Sequence, residues 1–296
     1  MPADNLRGIL LMLVSMALFG IEDMFLKLAT AHLPSGQIIF VSGALGLPVF
    51  LVLAWRQGQR VWSKAALHPT VLARNLGEMV ATIAYIYALA TIPLATVSAV
   101  LQALPLAVTM AAALFMQEQV GWRRWVAICV GFSGVILVIR PGMDGFKPEA
   151  LWVLVSVAAL VLRDLSSRAI PKDCSTTQIS AWGLMAITLL GALMMLQGGA
   201  VVPTPSQAGV LAAAALFGTA GYAAIVAASR TGEVSVVAPF RYARLIFAIV
   251  IGVTVFSETL DLATIIGAAM IIGSGLYSFT RERMRKRALS MASVAR

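Results

Sequence analysis

The chain has 296 residues, of which 60% are hydrophobic and only 12% are charged, and its mean hydropathy is +0.90. About a quarter of the residues in a soluble domain are normally charged, so this composition excludes a water-soluble globule and indicates a membrane protein. The net charge of +9 does not indicate a nucleic-acid binder, because the basic residues stand in short groups between apolar runs. Cys129 and Cys174 give neither a disulfide framework nor a metal-ligand cluster.

Ten apolar runs are long enough to cross the hydrocarbon core of a bilayer, which takes roughly 20 residues of helix. In chain order, we expect membrane spans 1 to 10 at residues 8–29, 35–55, 71–90, 94–116, 122–140, 149–168, 176–197, 206–229, 234–256 and 262–280. The first run is too long for a signal peptide, contains Glu22 and Asp23 and lacks a cleavage site after it, so we expect it to be retained.

Successive connections between the spans lie on opposite sides of the membrane, and most lysine and arginine residues fall in the connections of one side. On the other side lie only Lys27, Arg140 and Lys147. Because basic residues accumulate on the cytoplasmic side, we expect both termini in the cytoplasm and the chain in a bacterial-type inner membrane. The basic cluster from Arg281 to Arg287 predicts contact with anionic lipid headgroups.

The two halves of the sequence resemble each other at an offset of 139 to 141 residues. The stretch AYIYALATIPLATVSAVLQALPL aligns with GYAAIVAASRTGEVSVVAPFRYARLI, and Glu118 aligns with Glu258. We therefore expect a first five-helix repeat at 1–144, a second at 145–283 and a basic cytoplasmic tail at 284–296. With five spans each, the repeats enter the membrane from opposite sides, an arrangement that recurs in secondary transporters.

Three stretches carry a resemblance to a known family: LFGIEDMFLKLA (18–29), RNLGEMVATIAYIYALATIPLATVSAVLQALPL (74–106) and APFRYARLIFAIVIGVTVFSETLDLATIIGAAMIIGSGLY (238–277). They resemble the drug/metabolite transporter superfamily in its ten-helix EamA-type branch, and within it the amino acid exporters of the YddG type. The resemblance implies a central cavity enclosed by spans 1, 3, 4, 6, 8 and 9, with spans 5 and 10 peripheral. Span 1 departs from the frequent Trp-Gly of the family with Phe19-Gly20.

Polar side chains at helical spacing mark the interior faces of the spans, because a polar group at membrane depth needs a partner or water. They are Asn75, Glu78, Thr82 and Tyr85 in span 3, Ser98, Gln102, Pro105 and Thr109 in span 4, and Pro239, Arg241, Tyr242 and Arg244 in span 9. A rise of about 1.5 Å per residue places Arg244 near the bilayer midplane, where an unpaired charge is costly. Pro105 and Pro239 stand near matching positions of the repeats, and we expect them to act as hinges.

These residues suggest a binding site for a zwitterion, which needs an acceptor for its ammonium group and a donor for its carboxylate. The expected substrate-binding residues are Glu22, Glu78, Tyr85, Ser98, Gln102, Tyr222, Tyr242 and Arg244. Glu78 or Glu22 would face the ammonium group, and Arg244 or Arg241 the carboxylate. An alternative interpretation is that Glu78 and Arg244 form a structural ion pair that touches no substrate. Glu22 and Asp23 are also candidates for proton carriers.

Motifs for nucleotide hydrolysis, dinucleotide binding and metalloprotease chemistry are missing from the sequence, so we expect no enzyme activity, no cofactor and no metal site. The sequence instead predicts a secondary transporter that exports amino acids or related small metabolites by alternating access. Import of a metabolite or cofactor precursor, export of toxic cations, and an integral-membrane enzyme or structural subunit are the alternatives. Small residues on spans 5 and 10, Gly131 with Gly134 and Ala269 with Gly273, predict helix packing within the chain or in a homodimer.

Overall fold

The computed structural model describes residues 3–142, 146–171, 173–231 and 233–294, and every regular element in these ranges is a helix. The α-helices are α1 (Ala3–Thr30), α2 (Ser35–Arg56), α3 (Pro69–Thr91), α4 (Leu94–Leu101), α5 (Leu104–Phe115), α6 (Trp122–Ile139), α7 (Leu151–Arg168), α8 (Thr176–Gly198), α9 (Pro205–Thr231), α10 (Val234–Val237), α11 (Ala243–Phe256) and α12 (Leu262–Val294). Short 3₁₀ segments occur at Lys64–Leu67, Pro148–Ala150 and Ala238–Tyr242. The predicted boundary between the repeats, at residues 144 and 145, lies outside the described residues.

The predicted spans agree with these helices. Among the described residues, nine helical stretches are long and apolar enough to cross a membrane. α3 is a further helix of similar length, with 23 residues, but Arg74, Asn75 and Glu78 make its first half more polar. The prediction of an all-α, polytopic membrane protein is therefore confirmed. α12 continues as helix to Val294, through most of the segment predicted to be a separate tail.

Spans 4 and 9 are each interrupted. Span 4 consists of α4 and α5, which are separated at Gln102 and Ala103. Pro105 stands in the first turn of α5, and its ring conflicts with the carbonyl four residues earlier, at Leu101, where α4 ends. Span 9 consists of α10, a 3₁₀ segment that begins with Ala238 and Pro239, and α11. Both interruptions therefore occur at the prolines that the sequence singled out.

Each span packs mainly against a span of the other half. α1 packs on α9, α2 on α8, α3 on α7 and α6 on α12, whereas α11 packs mainly on α1 and α5 mainly on α7. Numbered as spans, these pairs are 1 with 8, 2 with 7, 3 with 6, 5 with 10, 9 with 1 and 4 with 6. Exchanging each span for its counterpart five positions away returns the same pairs, so the packing has the symmetry of a duplicated bundle.

Glycines allow several of these helix pairs to approach closely. A Cβ at Gly77 of α3 would lie 2.7 Å from the Ala159 carbonyl oxygen of α7. A Cβ at Gly134 of α6 would lie 2.7 Å from the Gly267 carbonyl oxygen of α12. Such distances exclude a side chain, so the small face of α6 packs against α12 within the chain. No atom of the described residues lies within 4 Å of a Cβ placed at Gly273.

The repeats also share a local backbone geometry at the ends of α5 and α11. Gln117 and Ser257 both adopt left-handed backbone conformations, with φ of 55° and 51°. The next residue in each half, Glu118 or Glu258, donates its backbone N–H to the carbonyl oxygen six residues earlier, at 3.2 and 2.9 Å. Because asparagine, aspartate and glycine are the usual residues at positive φ, this matched pair is a specific feature of both halves.

Candidate functional site

A buried ion pair joins the two halves inside the bundle. Asp23 of α1 is 1% exposed, and Arg244 of α11 binds it in a bidentate fashion, with Nε 3.0 Å from Oδ2 and Nη2 2.8 Å from Oδ1. Tyr85 of α3 donates its hydroxyl to Asp23 Oδ1. The Arg244 guanidinium also lies over the Phe19 ring, 5.3 Å from its centroid. We call Asp23, Arg244 and Tyr85 the central triad.

The central triad contradicts the alternative interpretation in which Glu78 and Arg244 form an ion pair with each other. Glu78 instead pairs with Arg74 at 3.1 Å and with Arg163 of α7 at 3.4 Å. The reason is the position of Glu78 along α3. It lies seven residues before Tyr85, and at about 1.5 Å per residue this places it about 10 Å away along the helix axis. Asp23, at the level of Tyr85, is the acid that Arg244 reaches.

Arg163 and its neighbours form a second polar cluster towards the end of the bundle where α3 begins. Arg163 also binds Asp164 at 2.9 Å, and Arg74 donates to the Asn75 side-chain oxygen at 3.1 Å. The positive charges of Arg74 and Arg163 are therefore opposed by Glu78 and Asp164. This cluster balances its own charge and joins α3 to α7.

Two charged side chains near the central triad have no such partners. In the described part of the chain, Glu22 and the Arg241 guanidinium make no hydrogen bond or ion pair to another side chain or to the backbone. Glu22 is half-buried, and its carboxylate lies against Gly218 of α9, where a Cβ would collide with it. Arg241 is exposed, although its segment is apolar enough to cross a membrane. A charge in such a segment needs water or a ligand.

Of the other predicted site residues, Gln102 lies beside Arg241, whereas Tyr222 lies elsewhere in the bundle. Gln102, at the interruption of span 4, donates to the Arg241 carbonyl oxygen at 3.3 Å, so the interrupted spans meet there. Ser98 is buried in α4. Tyr222 contacts the Ser180 hydroxyl at 3.1 Å and packs edge-on against Phe50, away from the central triad.

Tyr242 is placed differently from the expectation. Its hydroxyl lies against Gly275 of α12. The structure therefore brings together Glu22, Tyr85 and Arg244 of the predicted set, with Gln102 beside Arg241. It does not bring Glu78, Tyr222 or Tyr242 to the central triad. How these residues act in binding remains a prediction, as does the hinge role of the two prolines.

Asp23 is the functional candidate that the sequence reasoning missed as a partner of Arg244. The signal was available, because Phe19 and Asp23 are four residues apart and lie on one face of α1. Both contact Arg244. The adjacent acids Glu22 and Asp23 made the choice ambiguous in sequence, since neighbouring residues on a helix point in different directions.

Comparison with known proteins identifies the chain. The model of the EamA-like transporter family matches it twice, over residues 6–140 and 147–280. The chain belongs to the EamA-like transporter family. It is therefore a membrane transporter and not an enzyme. The resemblance to the drug/metabolite transporter superfamily is confirmed, whereas the narrower likeness to YddG-type exporters stays a prediction.

Relatives of this EamA-like chain include transporters named for opposite directions. It is 23% identical over 278 residues to the S-adenosylmethionine uptake transporter of Rickettsia prowazekii (strain Madrid E), covering 94% of each chain. It is 27% identical over 279 residues to the pseudopaline exporter CntI of Pseudomonas aeruginosa, covering 92% of this chain and 96% of the other. A crystal structure with 20% identity matches at a TM-score of 0.61, covering 94% of this chain and 98% of the other, which supports the fold.

Proposed function

We propose that this EamA-like protein is a secondary transporter of amino acids or related zwitterionic metabolites, which it exports across the inner membrane by alternating access. One observation carries the proposal: Glu22, an acid, and Arg241, a base, make no side-chain hydrogen bond or ion pair with the described residues, and each lies close along the chain to one end of the Asp23–Arg244 pair. An ionisable side chain without a hydrogen-bonded partner inside a membrane protein is expensive and is typical of a substrate or ion pathway.

The chemistry of these two side chains matches an amino acid. The carboxylate of Glu22 can accept hydrogen bonds from an α-ammonium group, and the guanidinium of Arg241 can bind an α-carboxylate through two parallel N–H donors. Glu22 belongs to the first repeat and Arg241 to the second. A substrate held between them would therefore contact both halves, which is what alternating access around a central site requires.

In this proposal the central triad supports the site. Asp23 and Arg244 neutralise each other, and Tyr85 completes the hydrogen bonding of Asp23. This fixes α1 against α11, so that Glu22 and Arg241 are held at a constant separation. Such fixed positions reduce the conformational entropy that binding costs.

The remaining parts of the proposal concern arrangement and topology. The repeats are 1–144 and 145–283, inverted with respect to each other, and both termini face the cytoplasm. The matched pairing of spans and the two family matches support the duplication. The distribution of lysine and arginine supports the orientation.

Transport by proteoliposomes tests the function. The full chain is reconstituted and loaded in turn with each labelled amino acid, and efflux is compared with that of empty liposomes. We expect efflux of at least one amino acid, and its loss in Glu22→Gln and in Arg241→Gln at normal protein yield. Arg230→Gln, at the exposed end of α9, is the matched control and keeps efflux. Failure of every amino acid to move contradicts the proposed substrate class.

Import is a second candidate function, favoured by the similarity to S-adenosylmethionine uptake transporters. S-adenosylmethionine also carries an ammonium and a carboxylate group, so the same two side chains would serve it. The sign of flux in cells distinguishes the two directions. Cells that express the chain and receive a labelled substrate lose label faster than control cells if the protein exports, and accumulate it if the protein imports.

A further inference from the structure

Glu258 links the second half to the first at one end of the bundle. We call this end, where α3 finishes and α4 begins, the far side, and the opposite end, where α1 begins, the terminal side. Glu258 pairs with Lys27 of α1, with 3.5 Å between Oε1 and Nζ, and accepts hydrogen bonds from the backbone N–H groups of Leu94 at 2.7 Å and Ala95 at 3.2 Å. Its side chain is 9% exposed.

Lys27 extends this link to the end of α3. Its ammonium group donates to the carbonyl oxygens of Leu89 at 3.2 Å and Ile92 at 2.6 Å, and lies 5.5 Å from the centroid of the Phe256 ring. We call Lys27 and Glu258 the far-side pair. Lys27, which belongs to α1, binds backbone carbonyl groups at the end of α3, and Glu258 binds backbone N–H groups at the start of α4. All these elements belong to the first half, and only Glu258 and Phe256 belong to the second.

The duplicated sequence places an equivalent pair at the terminal side. Arg168 is in the last turn of α7, as Lys27 is in the last turn of α1, and α7 is the counterpart of α1. Glu118 aligns with Glu258 and shares its backbone geometry. Arg168 and Glu118 form an ion pair at 2.9 Å, which we call the terminal-side pair.

The two pairs differ in their surroundings. The side chains of Arg168 and Glu118 are 46% and 50% exposed, against 16% and 9% for Lys27 and Glu258. An exposed ion pair contributes little to stability, whereas separating a buried pair, and its carboxylate from backbone N–H donors, is costly because buried charges are left without partners. The far-side pair therefore holds the halves together, and the terminal-side pair leaves them free to separate.

We infer that the Lys27–Glu258 and Arg168–Glu118 pairs are reciprocal gate latches. Each pair is buried when the transporter is closed on that pair's side of the membrane, and becomes exposed when the transporter opens on that side. This inference rests on the alternating access of the proposed function. In the structure both ion pairs are formed, but only the far-side latch is closed, in the sense that its side chains are buried and bound to backbone groups of α3 and α4; the terminal-side latch is exposed. In the opposite state Glu258 leaves α4 and becomes exposed, while Arg168 and Glu118 become buried against the end of α9.

The inference predicts opposite effects for equivalent substitutions. Glu258→Gln removes the charge that binds Lys27 and weakens the bonds to the α4 backbone, so it favours opening on the far side. Glu118→Gln removes the same charge from the latch that must engage in that open state, so it disfavours opening on the far side. A purely structural role for each pair would not link the two changes with opposite signs.

Labelling of a single cysteine measures far-side opening. Ser98, which is buried in α4, is replaced by cysteine in a chain that also carries Cys129→Ala and Cys174→Ala. A membrane-impermeant maleimide is added to intact cells, and the rate of labelling is compared among variants. We expect Glu258→Gln to raise the rate about ten-fold, the factor that corresponds to about 1.4 kcal/mol. We expect Glu118→Gln to lower it and the double variant to fall between the two.

Asp261→Asn is the matched control. Asp261 forms another ion pair on the far side, with Arg140, but it joins α6 to α12 rather than α1 to α4. Asp261→Asn should leave the labelling rate of the Ser98→Cys chain unchanged. Equal signs for Glu258→Gln and Glu118→Gln, or no change in either, overturn the inference. Because Glu118 is exposed, Glu118→Gln should fold normally. The direction of its effect on the labelling rate therefore tests the inference even where Glu258→Gln lowers the yield.

The labelling experiment also separates this inference from the proposed function. It needs no substrate, so reciprocal labelling combined with no amino acid transport leaves the latches in place and removes the substrate class. Amino acid transport combined with labelling rates that do not change among the variants removes the latches and leaves the substrate class in place.

Discussion

Replacing Asp23 by Asn should destabilise the protein more than any other loss of a single acidic charge near the centre. The substitution keeps the shape of the side chain but removes the charge that the Arg244 guanidinium binds at 2.8 and 3.0 Å. Arg244 then loses the carboxylate to which it is bound. Tyr85 loses its charged acceptor as well.

The structure allows the magnitude to be worked out. Removing one partner of a buried ion pair costs about 3–5 kcal/mol, because the other charge is left uncompensated. The Arg244 side chain is 28% exposed, so water can partly hydrate it, and we expect about 3 kcal/mol, the lower end of that range. The double variant Asp23→Asn, Arg244→Gln removes both charges and should recover part of this loss.

Thermal unfolding of the purified chain in detergent measures the effect, with folded yield as a second readout. Glu22→Gln is the matched control, since it removes the neighbouring charge, which has no ion-pair partner in the described structure. We expect a clear drop in the unfolding midpoint for Asp23→Asn, a smaller drop for the double variant and little change for Glu22→Gln. Equal destabilisation by Glu22→Gln, or a double variant worse than the single one, would refute the structural role of the central triad.

Three further predictions concern other parts of the bundle. Pro105→Ala and Pro239→Ala should slow transport in proteoliposomes at normal yield, because each restores a backbone N–H where a span is interrupted; an unchanged rate argues against hinges. Gly191→Val should reduce folded yield, since its Cβ would lie 2.6 Å from Phe40 Cα, whereas Gly209→Val, whose Cβ has no atom of the described residues within 4 Å, should not. A reporter fused to the C-terminus should be active in the cytoplasm, and periplasmic activity contradicts the assigned topology.

The sequence was sufficient to predict the membrane spans to within a few residues. Each predicted run needed only about 20 apolar residues bounded by charges, proline or glycine, and that requirement comes from bilayer thickness alone. The positions of the interruptions in spans 4 and 9 were signalled by Pro105 and Pro239 for the same local reason. The continuation of α12 to Val294 was not predicted, because the basic residues beyond 280 end the apolar run without ending a helix.

The partners of the charged side chains could not be predicted in the same way. The pairing of Arg244 with Asp23, rather than with Glu78, depends on the axial offset between α1, α3 and α11. Helical spacing identifies which residues share a face, but it carries no information about the height of one helix against another. That Glu22 and Arg241 form no ion pair with the described residues becomes clear only when the partners of the neighbouring charged side chains are known.

The pairing of every span with a span of the other half has a consequence for biogenesis. When the first five helices leave the ribosome, the partners of their packing faces have not yet been synthesised. The early helices must therefore wait in the lipid as loosely associated segments until their partners in the second half are inserted, span 3 for span 6, span 2 for span 7 and span 1 for span 8, and assembly is complete only with the tenth span. A chain divided near residue 143 should thus regain its structure only when both fragments are produced in the same cell.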